Sequence, residues 1–580
     1  MGCETSVLTG EDIRKLHVSG IPELLRTVSS VGLTERGTPG SQADVTLRGS
    51  SFEGVLVLVN GINVRDPQTG HFTMDIPVDI ESIERVEILT GGGSTMYGSS
   101  AAGGVVNIVT HSAARGLSGS LAAGSYGSAE ISAGFGCRDT QPFVSTSRSD
   151  ISMHLRKGTS DGYSRDTDLA NTGADVTGSF RSDTIMVDWN LGVLDKQFGA
   201  EDFYAPYQSF EKIRTFLGGV SAQRIAGENS LFRFRLGARR HNDDFILDRE
   251  KPEGYRNTHI NRSFVLSGEY TRALAHSVTV IAGIEGVHTG ISSGSLGRHA
   301  DWNNAVYGEC TGEVKRCQVS MSLRFDSGFR DEQCLTYGAG AVYPVGQRSS
   351  FRLRAEKSFR SPTYTDLYYN DPANRGNPGL ESEQSHSLEA GIDYSHGQTT
   401  TGLTVFARKS SNVIDWIRDS GETIWRAENH GLLMTTGVEL KTGLTIGGNW
   451  NGRVSAMILD QAVDRRKGTE SKYVLNTAES TVSGALTGTI PVPLRQSASA
   501  TSGITVSCMV RYENVRHGDD RMPVTVSCSK TIFSHKDSKT QRKKYTFVVA
   551  VRNLFNERYE ELPGLRAPGR WVTVRLEYLR

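Results

Sequence analysis

The side chains in this chain that could do chemistry are aromatic rings, carboxylates and glycines. Their spacing suits ligand capture and tight turns rather than bond breaking. Phe203, Tyr204 and Tyr207 share one stretch with Asp202 and Pro206, and Tyr368 and Tyr369 adjoin another. Amphipathic rings hold flat or bulky ligands at low entropy cost. The same rings also build membrane-interface girdles, a reading that suits the Tyr368–Tyr369 pair equally well. Asp161, Asp166 and Asp168 form an acidic group, and Asp243, Asp244 and Asp248 a second. Calcium takes six to eight oxygens. Three local carboxylates fall short of that and the D-x-D-x-D-G spacing is absent, so a solvated acidic loop is favoured, with Ca2+ in an outer loop as the alternative. Neither G-x-S-x-G nor H-E-x-x-H occurs, and His241 and His259 merely flank a charged stretch, so no catalytic set is assigned. Among the seven cysteines, Cys310 and Cys317 bracket a candidate turn and Cys508 and Cys528 a polar stretch. Free thiols are the favoured reading over disulfides, and no C-x-x-C supports zinc.

The elements that would position these residues follow from periodicity. Glu84–Thr110, ERVEILTGGGSTMYGSSAAGGVVNIVT, reads as strand, glycine turn, small-residue turn and strand. A phosphate cradle needs a helix after its glycines; here a strand follows, so the glycines mark tight turns and close backbone approach. VTLRG, GVLVLVNGINV, IERVEIL and GVVNIVT read as strands, and IPELLRTVSSV as a helix with proline in its first turn. Together they make a small α+β domain. After His111 the pattern becomes period-two. Phe232, Phe234, Leu236 and Ala238 face one way while Arg233, Arg235 and Arg239 face the other; Ile185, Val187, Trp189, Leu191 and Val193 line a similar apolar face. A soluble sandwich would have to bury the arginine side. A barrel with lipid outside and a wet, charged lumen satisfies both faces.

The totals agree. Lys+Arg and Asp+Glu are 64 each, so nothing global steers the chain to nucleic acid. A mean hydropathy of −0.35 and the lack of any 18-residue apolar run exclude helical spans. They leave a membrane barrel open, because its strands show lipid only every second residue.

With LRGSSFEGVLVLVNGINVRD (Leu47–Asp66), the Glu84–Thr110 block resembles the plug of TonB-dependent outer-membrane receptors. Its R-V-E-I strand, glycine turn and S-x-ϕ-Y-G-x-x-A-x-G-G-V-ϕ-N-ϕ-x-T run match that family. Three further stretches carry the likeness: SFRSPTYTDLYYNDPANRGNPGLESEQSHSLEAGIDY (358–394), GVEL (437–440) and VRNLFNERYEELPGLRAPGRWVTVRLEYLR (551–580). The chain is most similar to the vitamin B12 (cobalamin) receptor branch.

The resemblance implies a plug over residues 1–112 and a 22-stranded antiparallel transmembrane β-barrel over 113–580, with the α+β plug inside the lumen. About 10 residues per spanning strand would use roughly half of the barrel segment. It further implies an outer-membrane location and uptake of a scarce bulky nutrient. A cobalamin-like corrinoid comes first, and a ferric siderophore or haem second. The expected partners are a periplasmic TonB-type coupling protein, membrane lipid, a small-molecule ligand and the barrel-assembly machinery. Finally, it implies a plug–barrel lock in which Arg48 meets Glu389 and Glu439. A guanidinium is a planar fork suited to desolvated carboxylates.

Departures from the family are specific. Thr90 stands where a second lock arginine belongs, Gly92 replaces a proline, and Arg580 takes the place of a closing aromatic. MGCETSVLTGEDIRKL shows no basic region followed by an apolar core, so a signal and TonB box are expected upstream of Met1. The rival class is an uncoupled surface receptor or adhesin with the same fold. A soluble β-rich enzyme is the third.

Overall fold

A computed structural model of the protein describes residues 4–110, 116–139, 147–203, 207–275, 277–464, 468–473, 477–492, 502–516, 520–533 and 543–580. The N-terminal unit is built on a five-stranded sheet. Its strands are β1 (Thr5–Thr9), β4 (Val55–Val59), β5 (Ile62–Asn63), β6 (Ile83–Thr90) and β7 (Gly104–Thr110), in the order β1-β6-β7-β4-β5. VLVLV of β4 is buried at every position, as a strand covered on both faces requires. Asn60 and Gly61 join β4 to β5 with φ of 53° and 76°, the paired positive dihedrals of a type I′ hairpin.

A second hairpin pairs β2 (Val31–Arg36) with β3 (Gln42–Leu47). Helix α1 (Gly10–Leu16) starts at a Thr9–Asp12 capping box. Helix α2 covers only Ile21–Leu25, shorter than IPELLRTVSSV suggested. Three carbonyls near its C-terminal end, of Arg26, Val28 and Val31, accept hydrogen bonds from Arg511 instead of continuing a helix. A single turn, α3 (Ser94–Tyr97), interrupts the glycine-rich segment.

From Gly116 onward the chain closes on itself. The closed sheet joins 24 strands. Two of these, Asn374–Arg375 and Thr469–Ser471, are short additions at the rim, which leaves 22 wall strands among the described residues. The last strand, Trp571–Leu579, pairs antiparallel with the first, Gly116–Gly124, so no edge is left to aggregate. Phe232, Phe234, Leu191, Ile284 and Val574 are exposed on the outside, and the intervening Arg239, His241 and Asp243 are buried inside. That is the lipid-out, polar-in alternation of a membrane barrel.

Several polar, glycine-bearing stretches that read as loops in the sequence, 157–175 and 195–212, are partly wall. Lys157–Ser160, Leu169–Asp175 and Asp195–Gly199 belong to strands. Lumen-facing strand residues are as polar as loop residues, so composition did not separate the two. The described cysteines are free thiols. Cys310 stands opposite Met321 and Cys317 opposite Val314, and Cys508 and Cys528 face Val526 and Val506.

Candidate functional site: a buried charge cluster and the rim above it

β3 ends at Leu47, and the next two residues turn in the left-handed region, Arg48 with φ 45° and Gly49 with φ 66°. That conformation costs a non-glycine residue about 1–3 kcal/mol and persists only where surroundings hold it. Here the Arg48 N–H donates to Ser30 O at 2.9 Å, and Arg408 of the wall donates to Arg48 O at 3.1 Å. The turn aims the Arg48 side chain, 1% exposed, at the barrel wall. Its Nε and Nη2 donate to Glu439 Oε2 at 3.0 and 2.8 Å. Its Nη1 faces Glu389 Oε2 at 3.2 Å as an ion pair outside hydrogen-bond geometry. The guanidinium carbon also lies 4.5 Å over the Phe406 ring, a cation–π contact. The structure therefore brings together the three residues that the resemblance linked.

Two more charges join them. Glu4 accepts from Arg48 Nη2, and Lys441 Nζ reaches Glu4 Oε1 at 2.7 Å and Glu439 Oε1 at 3.1 Å. Burial alone would raise the Glu4 carboxyl; Lys441 and Arg48 outweigh it and bring it down to about 2. Burial alone would weaken the Arg48 cation; Glu389, Glu439 and Glu4 outweigh it and hold its pKa above the ordinary arginine range. Thr90, fully buried where a second arginine would stand, donates its hydroxyl to Glu4 O at 3.3 Å. A Cβ at Gly91 would run into the Glu389 carboxylate. The barrel supplies cations to this region instead: Lys441, and Arg354, which donates to Gly92 O at 2.6 Å. Neither Glu4 nor Lys441 carried a sequence signal, because nothing local marks a residue that meets its partner some 400 positions away.

A second clamp lies on another wall. Arg511 donates to the plug carbonyls of Arg26, Val28 and Val31 at 3.0, 3.1 and 2.5 Å, and pairs with Glu513 at 2.7 Å. Plug Arg26 reaches Glu35 at 3.2 Å and Glu561 at 2.9 Å, and Arg521 ties Glu513 to Glu561 at 2.6 and 2.9 Å. Buried charges must be paired in this way, since one left alone costs several kcal/mol.

The rim residues divide. Phe203, a candidate ligand contact, is 5% exposed: its ring packs on Gly37 of the plug, and Arg36 Nη1 donates to its carbonyl at 2.8 Å. Tyr204 lies outside the described residues, and Tyr207 is exposed. Tyr368 ends helix α4 (Tyr364–Tyr368) and stacks on His299 with ring centroids 3.6 Å apart. Tyr369 meets Trp416 edge-on at 6.4 Å.

These tyrosines continue into a half-buried aromatic group, Trp425 and Tyr473, over a buried floor of Leu367, Leu380 and Trp416. At the plug apex Phe52 stacks on His71 at 4.4 Å, and Tyr473 meets Phe52 at 5.5 Å. Lys472 lies 5.8 Å from the Trp425 ring centroid and 5.5 Å from that of Tyr473. Phe52, His71, Trp425 and Tyr473 were not singled out from the sequence, since they lie in four separate segments.

The acidic loop is occupied by a cation of the chain itself. Arg249 Nη1 and Nη2 grip Asp168 at 2.5 and 3.0 Å, and Nη1 lies 3.4 Å from Asp166. Asp161 is exposed at the neighbouring turn. Among the described residues no three His, Cys, Asp or Glu side chains converge as a metal site requires.

Comparison with known proteins identifies matches at both ends of this architecture. Residues 3–105 match the family model described as TonB-dependent Receptor Plug Domain, and residues 121–518 match the model for the TonB dependent receptor-like β-barrel. The vitamin B12 transporter BtuB of Photobacterium profundum is 23% identical over 467 residues, covering 76% of this chain and 73% of that one. BtuB of Vibrio vulnificus (strain CMCP6) is 24% identical over 446 residues, covering 73% and 70%. Among solved structures, a variant of the ferric enterobactin receptor PfeA from Pseudomonas aeruginosa superposes with a TM-score of 0.78 at 17% identity, covering 99% of this chain and 98% of that one. The siderophore receptor PirA from Acinetobacter baumannii gives 0.78 at 16%, with coverage of 99% and 98%.

Proposed function

Because the chain belongs to the TonB-dependent receptor family of the outer membrane, we propose that it is an active importer whose plug is released by a pull on its N-terminal segment. A periplasmic TonB-type protein supplies the pull, using the inner-membrane proton gradient. The observation that carries this reading is the place of Glu4. The residue directly precedes edge strand β1, and its carboxylate sits inside the Arg48 cluster. Tension on this segment draws a buried carboxylate away from Arg48 and Lys441 and so weakens the lock at its centre.

The ligand is captured above the plug, by Tyr207 on one side and by Tyr369, Trp425 and Tyr473 on the other, with Phe52 and His71 as the floor. We take a cobalamin-type corrinoid as the ligand, supported by the curated relatives named vitamin B12 transporters. A broad macrocycle suits a set of separated aromatic edges. Ferric siderophores or haem are the alternative. Arg249 stands where a loop-ordering Ca2+ would bind, so binding is expected to be insensitive to chelators.

The test is uptake of labelled cyanocobalamin, ferric enterobactin or haem by cells carrying this protein, with and without a protonophore. Saturable uptake abolished by the protonophore is expected for the corrinoid. Surface binding with no uptake of any of the three would make the protein an uncoupled receptor and refute the importer reading.

A further inference from the structure

One strip of the lumen wall holds a continuous row of buried polar atoms that lack hydrogen-bond partners. Along strands Ser230–Ile246 and Arg256–Ala275, three polar pairs stand directly opposite each other: Asp243 with His259, His241 with Asn261, and Arg239 with Ser263. All six side chains are buried, none more than 9% exposed. Five of them keep an atom with no hydrogen-bond partner: Asp243 Oδ1, His259 Nδ1, His241 Nε2, Asn261 Oδ1 and Ser263 Oγ. Buried polar atoms are almost always paired, so such a row needs an explanation.

The plug segment facing the strip provides part of the answer. Gln68 accepts from Asn261 Nδ2 at 2.6 Å and donates to Asp243 at 3.4 Å, and Asp66 pairs with Arg239. Those bonds use the other atoms of the same groups and leave the five unmet. Arg239 Nη2 donates to His241 Nδ1 at 3.3 Å, which places a proton on His241 Nε2. The row therefore mixes a donor with acceptors. No metal cage is formed by the described side chains, and a metal would not serve a donor. Water can both donate and accept, and binds such sites with about three hydrogen bonds each. At its lower end the strip opens, at Ser263, into a cavity of about 80 Å³ between Asn63, Arg65 and Tyr97 of the plug and Glu285 and Arg324 of the wall. That is room for a few waters.

The charges around this cavity are also arranged differently from those of the clamps. Arg324 pairs with Glu285 at 2.6 Å and Asp326 at 2.9 Å, all three within the barrel, and meets the plug at Gly98 and through one hydrogen bond to the Met96 carbonyl at 3.4 Å. Moving the plug away from here leaves those wall charges paired and parts one buried plug–barrel ion pair, Asp66–Arg239. Moving it from the Arg48 cluster takes a cation from both Glu389 and Glu439, which for a buried pair is strongly unfavourable.

We propose that this strip is a hydrated seam, that the plug parts from the barrel along it first, and that ligand passes on this side. The route of passage rests on the importer reading; the seam and the order of parting do not, and they can be tested without ligand or energy source.

Hydroxyl-radical footprinting of the intact purified protein, read by mass spectrometry, reports side chains in contact with bound water. His241 and His259 are expected to oxidise several-fold faster than His154, which is equally buried (3% exposed) but bonded to Ser82 at 2.8 Å. Rates equal to that of His154 would overturn the seam. A urea series kept below barrel unfolding then tests the order. Tyr97, beside the seam, is expected to gain reactivity at lower urea than Leu47, next to Arg48, or Leu25, beside the Arg511 clamp. Simultaneous or reversed onset would overturn the claim that the plug opens here first.

Discussion

Replacing Arg48 with alanine tests the reasoning most directly, because one side chain serves three carboxylates. Glu439 has a fully buried side chain, and those of Glu389 and Glu4 are 6% and 9% exposed. In the absence of Arg48, Lys441 is left as the closest cation to Glu439 and Glu4, and Glu389 loses its ion pair. Breaking a buried pair by removing one partner costs about 3–5 kcal/mol. At about 1.4 kcal/mol per tenfold, the population of undocked plug should rise by roughly 10²- to 4 × 10³-fold.

The assay is single-protein conductance in planar bilayers, after heat-modifiable gel migration has shown that the barrel is assembled. Frequent open events are expected where the parent protein is closed. Arg48→Lys should recover part of the closure, because a point charge reaches one carboxylate rather than three. Arg48→Gly separates charge from backbone strain. It fits the positive φ of 45° yet loses the cation, and should open nearly as often as the alanine variant. Conductance unchanged in Arg48→Ala would refute the assignment of this cluster as the lock.

The Arg511→Met variant removes the donor to three plug carbonyls while keeping much of the side-chain volume. It should lower the urea midpoint of plug release, by hydrogen exchange in Leu25–Val31, and add to the effect of Arg48→Ala because the two clamps share no residue. His17 caps α1 and bonds Ser529 at 2.8 Å, and burial with Arg575 and Lys544 nearby lowers its pKa to about 4. A free histidine titrates near 6.5. Between these values the released plug takes a proton that the docked plug refuses, so docking is fully stable above about pH 6.5 and weakens as pH falls towards 4. His17→Gln should flatten plug stability across that window in a pH series of urea midpoints; an unchanged slope would assign the dependence to other groups.

Much of this protein was legible in the residues themselves. Alternation of Phe232, Phe234 and Leu236 with Arg233, Arg235 and Arg239 defines a wall with lipid on one side and water on the other, because side chains alternate across a strand whatever surrounds it. The glycine turns and apolar strands of Glu84–Thr110 likewise define a small sheet by local chemistry. Strand ends were not legible, since a wet lumen makes wall residues as polar as loops, and Lys157–Ser160 or Asp195–Gly199 look the same in either setting.

Tertiary structure alone decided who meets whom. Glu4 and Lys441 join Arg48, Arg354 approaches the turn beside Thr90, Phe203 turns inward onto Gly37, and Arg249 sits on the acidic loop. Each of these contacts is set by barrel closure around the plug, which brings together residues tens to hundreds of positions apart. Desolvation then makes their pairing obligatory, and neither closure nor burial is written in any one stretch of chain.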